Sequence, residues 1–467
     1  MIPPKPPSRP DRPRFWQHLR AFRRDILSAQ PERLYRAWMA EFRTPFFRSY
    51  LCNDPALIDR VLGDAADDFP KSDRVREGLA PLLGRSVFVT NGEEWRRQRR
   101  IIDPAFGAGN VLAMQPAMVA AGKAAVRRLS AQAGQVVDVE PLANHAAADV
   151  IFRALFSVPI EDRDAAAIHQ EFRAYQRAQP LLNLAAFLRL PRWLPRLHRP
   201  STRRSAARIR ALIGDMVDAR VAQVRAGTAP DDLATRLMTL PDPVTGRPFT
   251  AGEIVDQVAI FLLAGHETSA SALAWTLYLV ACDPGLQDAL AAEATEALGG
   301  ATEDALQEAA DPPRPAALAG RLPLARDVFR EALRLYPPVP MMVREAACPV
   351  VFRGRAVRPG SQIVLSPWHL HRHERLWDRP DVFDPGRWRT PAGRQSARAG
   401  WLPFSKGTRV CPGAGFAMAE GPILLAILLR EFRLFPQDPP PMPVAHLTVR
   451  AFAGIHLKVT RRHEPDS

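Results

Sequence analysis

The chain has 467 residues, of which 47% are hydrophobic, and its net charge is +14. This hydrophobic content is enough for a large core. The length alone allows two to four domains, but the lack of a Gly/Ser-rich linker favours one α-rich unit. The four scattered cysteines argue against a disulfide framework and favour reduced thiols. The positive charge suits an acidic partner, and no nucleic-acid motif accompanies it.

The N-terminal segment is basic and rich in proline, with no apolar run of signal-peptide or membrane-anchor length. We expect residues 1–30 to form a tail and lead-in, and residues 31–467 to form a single domain. The composition predicts a cytoplasmic protein without a transmembrane anchor.

The first half of the chain is predominantly helical in pattern. Residues 46–52 have strand-like content, and Asn53-Asp54-Pro55 then begins a helix. Residues 56–240 show mainly helical periodicity. Within them, residues 180–200 are apolar, basic and interrupted by prolines, which fits a mobile lid, a membrane-touching face or a buried connector.

A proline-free stretch over residues 253–282 predicts a helix about 45 Å long, which is enough to pass through the core of a domain. Its middle reads Ala264-Gly-His-Glu-Thr-Ser269. A glycine costs about 1 kcal/mol inside a helix, so its presence here needs a reason. The Thr268 hydroxyl can bond to the Ala264 carbonyl and open a polar groove in the helix.

Strand-like runs and turns are concentrated toward the C-terminal half. Residues 351–366 contain turns at 353–354 and 359–360, and residues 447–460, with Gly454 near the turn, indicate a terminal hairpin. The elements together predict a mainly α fold with small sheets.

A cysteine lies in a glycine-rich loop, Phe404-Ser-Lys-Gly-Thr-Arg-Val-Cys411-Pro-Gly413, before an apolar helix that runs to about residue 430. Pro412 suits the first helical position, which would make Cys411 the N-cap, where the helix dipole favours a thiolate. A thiolate on such a loop suits haem iron. By itself, the same pattern also fits an inert buried cysteine.

This loop resembles the haem-ligand loop of the cytochrome P450 monooxygenases, Phe-x-x-Gly-x-Arg-x-Cys-x-Gly. All five fixed positions match: Phe404, Gly407, Arg409, Cys411 and Gly413. The resemblance implies the cytochrome P450 fold, in which a long central helix passes over haem b, with Cys411 as the iron ligand.

Three further motifs resemble the same family. Residues 264–269 match its oxygen-activation motif, which implies that Ala264 lies at the haem and that Glu267 and Thr268 deliver protons. Glu331 and Arg334 match its Glu-x-x-Arg pair, which locks structurally onto a later arginine, here Arg387. The resemblance also implies four haem-propionate contacts: Trp95, Arg99, Arg344 and Arg409.

Substrate contacts are expected, by analogy with the family, at six mostly apolar positions: Ile260, Ala264, Val339, Met341, Met342 and Phe452. They imply a largely hydrophobic substrate, although each also fits ordinary core packing. Electrons from NAD(P)H would arrive through a separate ferredoxin or flavodoxin-type donor and its reductase. The arginines at 96, 97 and 100 are candidate docking residues, or simply solvated charges.

The sequence therefore predicts a haem-thiolate monooxygenase that inserts one oxygen atom from O2 into its substrate. A peroxide-driven or rearranging enzyme of the same fold is the first alternative, and the intact Glu267-Thr268 pair argues against it. A non-catalytic haem sensor or carrier is the second.

Overall fold

A computed structural model describes residues 1–11, 21, 25–43, 48–63, 65–178, 200–299, 318–445 and 447–462. The predicted lid or connector at 180–200 lies outside these residues except for Pro200. The described helices are α1 Pro55–Leu62, α2 Asp73–Leu83, α3 Gly92–Ala105, α4 Ala108–Ala113, α5 Gln115–Ser130, α6 Val139–Phe156, α7 Arg163–Ala178, α8 Pro200–Ala226, α9 Leu233–Thr239, α10 Ala251–Ala281, α11 Pro284–Leu298, α12 Pro323–Leu335, α13 Pro367–Leu370, α14 Pro391–Gly400 and α15 Ala414–Glu431.

The described strands form four small sheets. They are β1 Met39–Arg43, β2 Arg48–Cys52, β3 Val136–Asp138, β4 Met342–Glu345, β5 Val350–Phe352, β6 Arg355–Val357, β7 Gln362–Leu365, β8 Phe432–Pro436, β9 Pro443–Ala445, β10 Val449–Ala451 and β11 His456–Arg461. The sheet orders are β1-β2-β7-β4, β3-β11-β8, β9-β10 and β5-β6. All pairings are antiparallel except that of β2 with β7. The mainly α fold with small sheets is confirmed.

The long helix α10 forms the centre of the molecule. A capping box between Thr250 and Glu253 fixes its start, and 31 residues then run without interruption. Gly265 allows α6 to approach closely, because a Cβ at this position would lie 3.1 Å from the Ile151 side chain. Of the described helices, α10 alone is long and apolar enough to cross a bilayer, and 78% of its most apolar window is buried inside the protein.

The two largest hydrophobic clusters of the described residues join most of the elements. The larger core is built mainly from helices, including α5, α6, α10 and α15. A smaller core beneath the four-stranded sheet joins β2 and β7 to α1. The cysteine loop follows α14 and contacts the end of α1 directly, so a packed helix supports the loop.

The described N-terminal residues pack on the domain. Lys5 pairs with Asp381 at 2.6 Å, and the Tyr336 hydroxyl donates to the Pro4 carbonyl at 2.7 Å. The Phe383 N–H donates to the Met1 carbonyl. These contacts hold the start of the chain against the end of α12 and the loop that follows α13. The domain boundary at residue 30 stays a prediction.

Two local predictions were wrong. Residues 447–460 do not form one hairpin: β10 pairs with β9, whereas β11 pairs with β8 and β3, and Gly454 with φ +83° lies in the connection between sheets. The helix after the cysteine begins at Ala414 with Gly413 as its N-cap, so Cys411 and Pro412 precede it. A turn closed by the Ala414 N–H and the Cys411 carbonyl occupies the intervening residues.

The turn after β7 contains two fully buried histidines that connect neighbouring segments. His369 shares a 2.8 Å hydrogen bond with the Ser366 hydroxyl. His371 uses Nδ1 toward the Arg334 carbonyl and accepts the Leu402 N–H at Nε2, 2.7 Å away. Burial lowers the pKa of each imidazole to about 3, so both rings are neutral at pH 7.

Candidate active site

The cysteine loop is a tight backbone structure anchored at both ends. The Cys411 N–H donates to the Phe404 carbonyl at 2.8 Å. Between them Gly407 has φ +62°, and a Cβ there would lie 2.4 Å from the Leu62 carbonyl oxygen. Only glycine can combine this backbone conformation with this close approach to α1. The loop therefore presents Cys411 in one defined position.

Cys411 is an exposed residue, although neighbouring protein atoms partly desolvate its thiol. Burial raises the pKa of the thiol, while the Gly413 N–H and the positive charge of Arg99 act in the opposite direction. A Cβ at Gly413 would lie 4.0 Å from the sulfur and would meet no nearer atom. Glycine here keeps the space beside the sulfur open to a flat group.

A buried charge network supports the chain that leads into this loop. Glu331 binds Arg334 through two hydrogen bonds of 2.8 and 3.0 Å and accepts a third from Arg387 at 2.9 Å. The side chains of Glu331 and Arg334 are fully buried. Arg334 also donates to three backbone carbonyls, those of His371, Pro380 and Val382. The network therefore fixes the segment between α13 and α14.

A second set of charges lies on the other side of the cysteine loop. The Arg99 guanidinium donates to the Val410 carbonyl at 2.6 Å, one residue before the cysteine. Arg409 stacks on the Trp95 ring with its guanidinium carbon 3.7 Å from the centroid. Lys71, which the sequence did not single out, joins them, with Nζ 5.7 Å from the same ring. A β-bridge between Lys71 and Arg344 brings the fourth cation to the cluster.

Like charges dominate this cation cluster of Lys71, Arg99, Arg344 and Arg409. Burial lowers the pKa of Lys71 well below its usual range, and the three arginines lower it further. Burial, with a smaller effect from Arg409, lowers the pKa of Arg344 to about 10. Asp103 pairs with Arg99 at 2.8 Å, and Asp67 exerts a favourable field on Arg409. Positive charge still exceeds negative charge in the cluster.

Several buried donors of the cluster have no acceptor among the described residues: Nε of Arg344, and Nε and one terminal nitrogen of Arg409. Buried donors are normally satisfied, so these atoms point to a missing anionic partner. Beside them lies a cysteine, a soft ligand for iron. These residues fit a flat iron-bearing group with carboxylate arms, as haem is.

The middle of α10 has a partly exposed strip in an otherwise buried helix. Its members are Ala264, Gly265, Thr268 and Ser269. The Thr268 hydroxyl donates to the Ala264 carbonyl at 2.6 Å, as the sequence predicts. A hydroxyl and an open surface thus occur at the same level of the helix.

Glu267 is buried and held by the β9–β10 hairpin. Its Oε1 accepts from the Thr448 hydroxyl at 3.1 Å and from the Arg450 guanidinium at 2.8 Å. The Arg450 side chain is 41% exposed, so the carboxylate lies one residue from solvent. His266 points elsewhere, with Nδ1 2.6 Å from the Leu262 carbonyl in a buried setting.

The predicted substrate contacts occupy different environments. Ile260 is buried on α10, and Val339 and Met341 are half-buried. Met342 packs against the smaller core beneath the sheet. Phe452 lies outside the β9–β10 hairpin and is 71% exposed, contrary to its expected place in a terminal hairpin. The hairpin turn instead presents Leu447, which is 52% exposed.

The three candidate docking arginines each pair with a carboxylate of the same chain. Arg96 binds Asp67, Arg97 binds Glu253 and Arg100 binds Asp242, each at 2.6 Å. Each of the three guanidinium groups therefore has an anionic partner. Their charge is therefore largely neutralised locally.

Three site residues escaped prediction: Lys71, Thr448 and Arg450. Each reaches the site through pairing between distant parts of the chain, and no local motif marks them. For Lys71 and Arg450, the available signal in the sequence is the excess of positive charge, which does not indicate which lysines and arginines lie at the site.

Comparison with known proteins agrees with this geometry. A model of the cytochrome P450 family matches residues 11–456. Cyclooctatin synthase of Streptomyces melanosporofaciens is 34% identical, with 83% of this chain and 81% of the relative covered. Cyclooctat-9-en-7-ol 5-monooxygenase of the same organism is 31% identical, covering 85% and 83%. Human cytochrome P450 4A11 is 28% identical, covering 88% and 79%.

A solved structure gives the same fold. The haem domain of cytochrome P450DA superposes with a TM-score of 0.79 over 99% of both chains at 24% identity. Because the family model spans nearly the whole chain and two relatives are more than 30% identical over most of their length, the chain belongs to the cytochrome P450 family and is a P450 monooxygenase.

Proposed function

We propose that the chain uses haem b to insert one oxygen atom from O2 into a C–H bond or related site of a largely hydrophobic organic substrate. Electrons from NAD(P)H reach it through a separate ferredoxin or flavodoxin-type donor and its reductase. The observation that carries the proposal is the cluster of cations beside Cys411, in which buried guanidinium donors of Arg344 and Arg409 have no acceptor among the described residues. Such a site suits a dianionic iron porphyrin better than any apolar ligand.

The residues around the cysteine would bind different parts of the cofactor. Cys411 is the proposed iron ligand, and Trp95, Arg99, Arg344, Arg409 and Lys71 are the proposed partners of the haem carboxylates. When bound, haem supplies the iron at which dioxygen is reduced. The Glu331–Arg334–Arg387 network acts structurally by holding the approach to the loop.

Proton supply is the proposed task of Glu267 and Thr268. Thr268 places a hydroxyl at the open strip of α10. Glu267, the residue before it, is buried and contacts Arg450, whose side chain reaches solvent. We infer that Glu267 exchanges protons with solvent beside Arg450 and replenishes the Thr268 hydroxyl.

A hydrophobic substrate is supported by the apolar character of the candidate contact residues and by one relative. Ile260 is buried on α10, and Ala264, Val339 and Met341 are partly exposed. The relative that is 31% identical is named as a monooxygenase of cyclooctat-9-en-7-ol. The four described cysteines are free thiols, in keeping with the proposed cytoplasmic location.

The ligation is tested by recording the visible spectrum of the reduced protein under carbon monoxide. We expect the red-shifted Soret band typical of thiolate ligation in the wild type and its loss in Cys411→Ser. Cys348→Ser, a change of the same kind away from the loop, should keep the band. A well-folded, haem-loaded wild type without it would disprove the proposal.

The oxygen source is tested by turnover with O2 and a redox chain against turnover with peroxide alone. Product formation that consumes NAD(P)H is expected. Activity restricted to peroxide would establish the first alternative function, and the absence of both substrate-dependent NAD(P)H oxidation and oxygenated product would favour a sensor or carrier.

A further inference from the structure

A buried carboxyl group that the proposed mechanism does not use connects the two helices on either side of the site. Ser269, next to Thr268 on α10, donates a 2.6 Å hydrogen bond to Oε2 of Glu420 on α15. The helix α15 begins at Ala414, three residues after Cys411. One hydrogen bond thus joins the helix of the acid–alcohol pair to the helix of the cysteine loop.

The surroundings of Glu420 are apolar and tightly packed. The residue is 1% exposed, and its second oxygen, Oε1, has no partner among the described residues. At the next position, a Cβ on Gly421 would lie 2.3 Å from the Phe329 ring, so α12 presses closely against α15 at this level. There is little space for a side chain to move or for the carboxyl to find another partner.

Such a place favours a neutral acid over a carboxylate. An ionised group with one unpaired oxygen in apolar packing would carry a large desolvation cost. Burial raises the pKa of Glu420 to about 8, against a smaller lowering effect of the Ser269 hydroxyl. Besides α10, the helices packed against α15 are α4, α5, α11 and α12, and no charged side chain of the described residues shifts the pKa of Glu420 in addition to burial and Ser269.

We propose that Ser269 and Glu420 form a positioning link, in which Glu420 as a neutral carboxylic acid holds the Thr268 turn of α10 at a fixed separation from the start of α15 beside Cys411. The link rests on the proposed function, because its value depends on haem lying between these two helices. Glu420 and Ser269 act through Thr268 and are positioning residues.

The protonation state is tested by thermal unfolding of the haem-loaded protein between pH 5 and pH 8. The raised pKa means that folded Glu420 keeps its proton while the unfolded chain loses it above its ordinary pKa, so the contribution of Glu420 to wild-type stability falls as the pH rises through this window. In Glu420→Gln this loss is absent. The melting temperature of the variant minus that of the wild type should therefore increase from pH 5 to pH 8.

The matched control is Glu431→Gln, the same change at a partly exposed position of α15. Its melting curve should run parallel to that of the wild type. If Glu420→Gln also runs parallel, Glu420 is not a neutral acid and the proposal fails.

The positioning role is tested by the fraction of NAD(P)H electrons that reach product. Ser269→Ala should lower this fraction by about threefold to tenfold, the worth of one hydrogen bond, with KM unchanged. Ser269→Thr, which keeps a hydroxyl, should restore it. Full coupling in Ser269→Ala overturns the link. A wild type without the thiolate-type carbon monoxide band would overturn the proposed function itself, which is a separate readout.

Discussion

At the scale of single residues, the site accepts an unfavourable arrangement of charge. The cation cluster brings four positive side chains together, and the pKa of Lys71 falls well below its usual range as burial and its three arginine neighbours oppose its charge. Such local conflict is typical of functional sites, where a ligand later supplies the missing interaction. The folded chain is thus prepared for an anionic group at the expense of its own stability.

Removing one of these charges should therefore have two opposite effects. Lys71 Nζ donates to the carbonyls of Val87 and Thr90. In Lys71→Met we expect the haem-free protein to melt at a higher temperature, because relief of like-charge repulsion and of a buried ammonium outweighs the loss of these two hydrogen bonds. Haem affinity should fall by about tenfold through loss of a charged hydrogen bond. Thermal unfolding and haem titration measure the two quantities.

Lys458→Met, the same change at an exposed position of β11, is the control and should alter neither quantity. A fall in haem-free stability of Lys71→Met would contradict the account of the cluster.

The residues of the site differ in how far the sequence predicts them. Cys411, Arg409 and Gly407 lie in one short motif, and their proximity follows from the loop itself. Lys71 and Arg450 reach the site through strand pairing and hairpin packing with segments hundreds of residues away, so no local pattern identifies them. The roles assigned to all of these residues stay predictions until the tests above are made.

At the scale of elements, helices were predicted better than strand partners. The start, length and central course of α10 follow from local signals: a capping box, absence of proline and continuous apolar content. The alternation over residues 447–460 identifies extended chain but not its partner, and β10 and β11 belong to different sheets. Pairing is decided by the whole fold, which is why the single hairpin was a wrong interpretation.

The buried charge network gives a prediction at this scale. Arg387→Ala leaves Glu331 with one cation fewer in a fully buried setting, and we expect the free energy of unfolding to fall by about 3–5 kcal/mol. Denaturant unfolding of the haem-loaded protein is the measurement, and haem retention should decline with it.

Arg389 provides the comparison within the same short turn. It pairs with Asp327 at 2.9 Å, but its side chain is 59% exposed. Arg389→Ala should cost at most about 1 kcal/mol. Equal losses in the two variants would show that burial does not determine the contribution of the network.

At the scale of the whole molecule, buried neutral histidines make the fold sensitive to acid. His369 and His371 are fully enclosed, and their pKa values of about 3 mean that the folded protein excludes a proton that the unfolded chain accepts below about pH 6.5. The free energy of unfolding is unaffected by these two groups above that pH and falls as the pH decreases from 6.5 toward 3.

Two such groups predict a loss of about 3 kcal/mol between pH 6.5 and pH 5. Burial also lowers the pKa of His169 to about 3 and that of His373 to about 4, so the share of His369 is read from a comparison of variants. From denaturant midpoints at pH 5 and pH 7, His369→Asn should lose less stability than the wild type by about half of this amount, whereas His456→Gln, at an exposed position of β11, should match the wild type. An identical loss in His369→Asn would exclude this origin of acid sensitivity.

The five donors of Arg334 bear on how this enzyme can be altered. Every N–H of that guanidinium is engaged with Glu331 or a main-chain carbonyl, and no other amino acid offers the same set. Randomised libraries should find this region intolerant of exchange. Substitutions at apolar candidate substrate contacts such as Ile260 and Val339 would leave the Glu331–Arg334–Arg387 network intact. These positions are therefore the better starting point for directed evolution of selectivity.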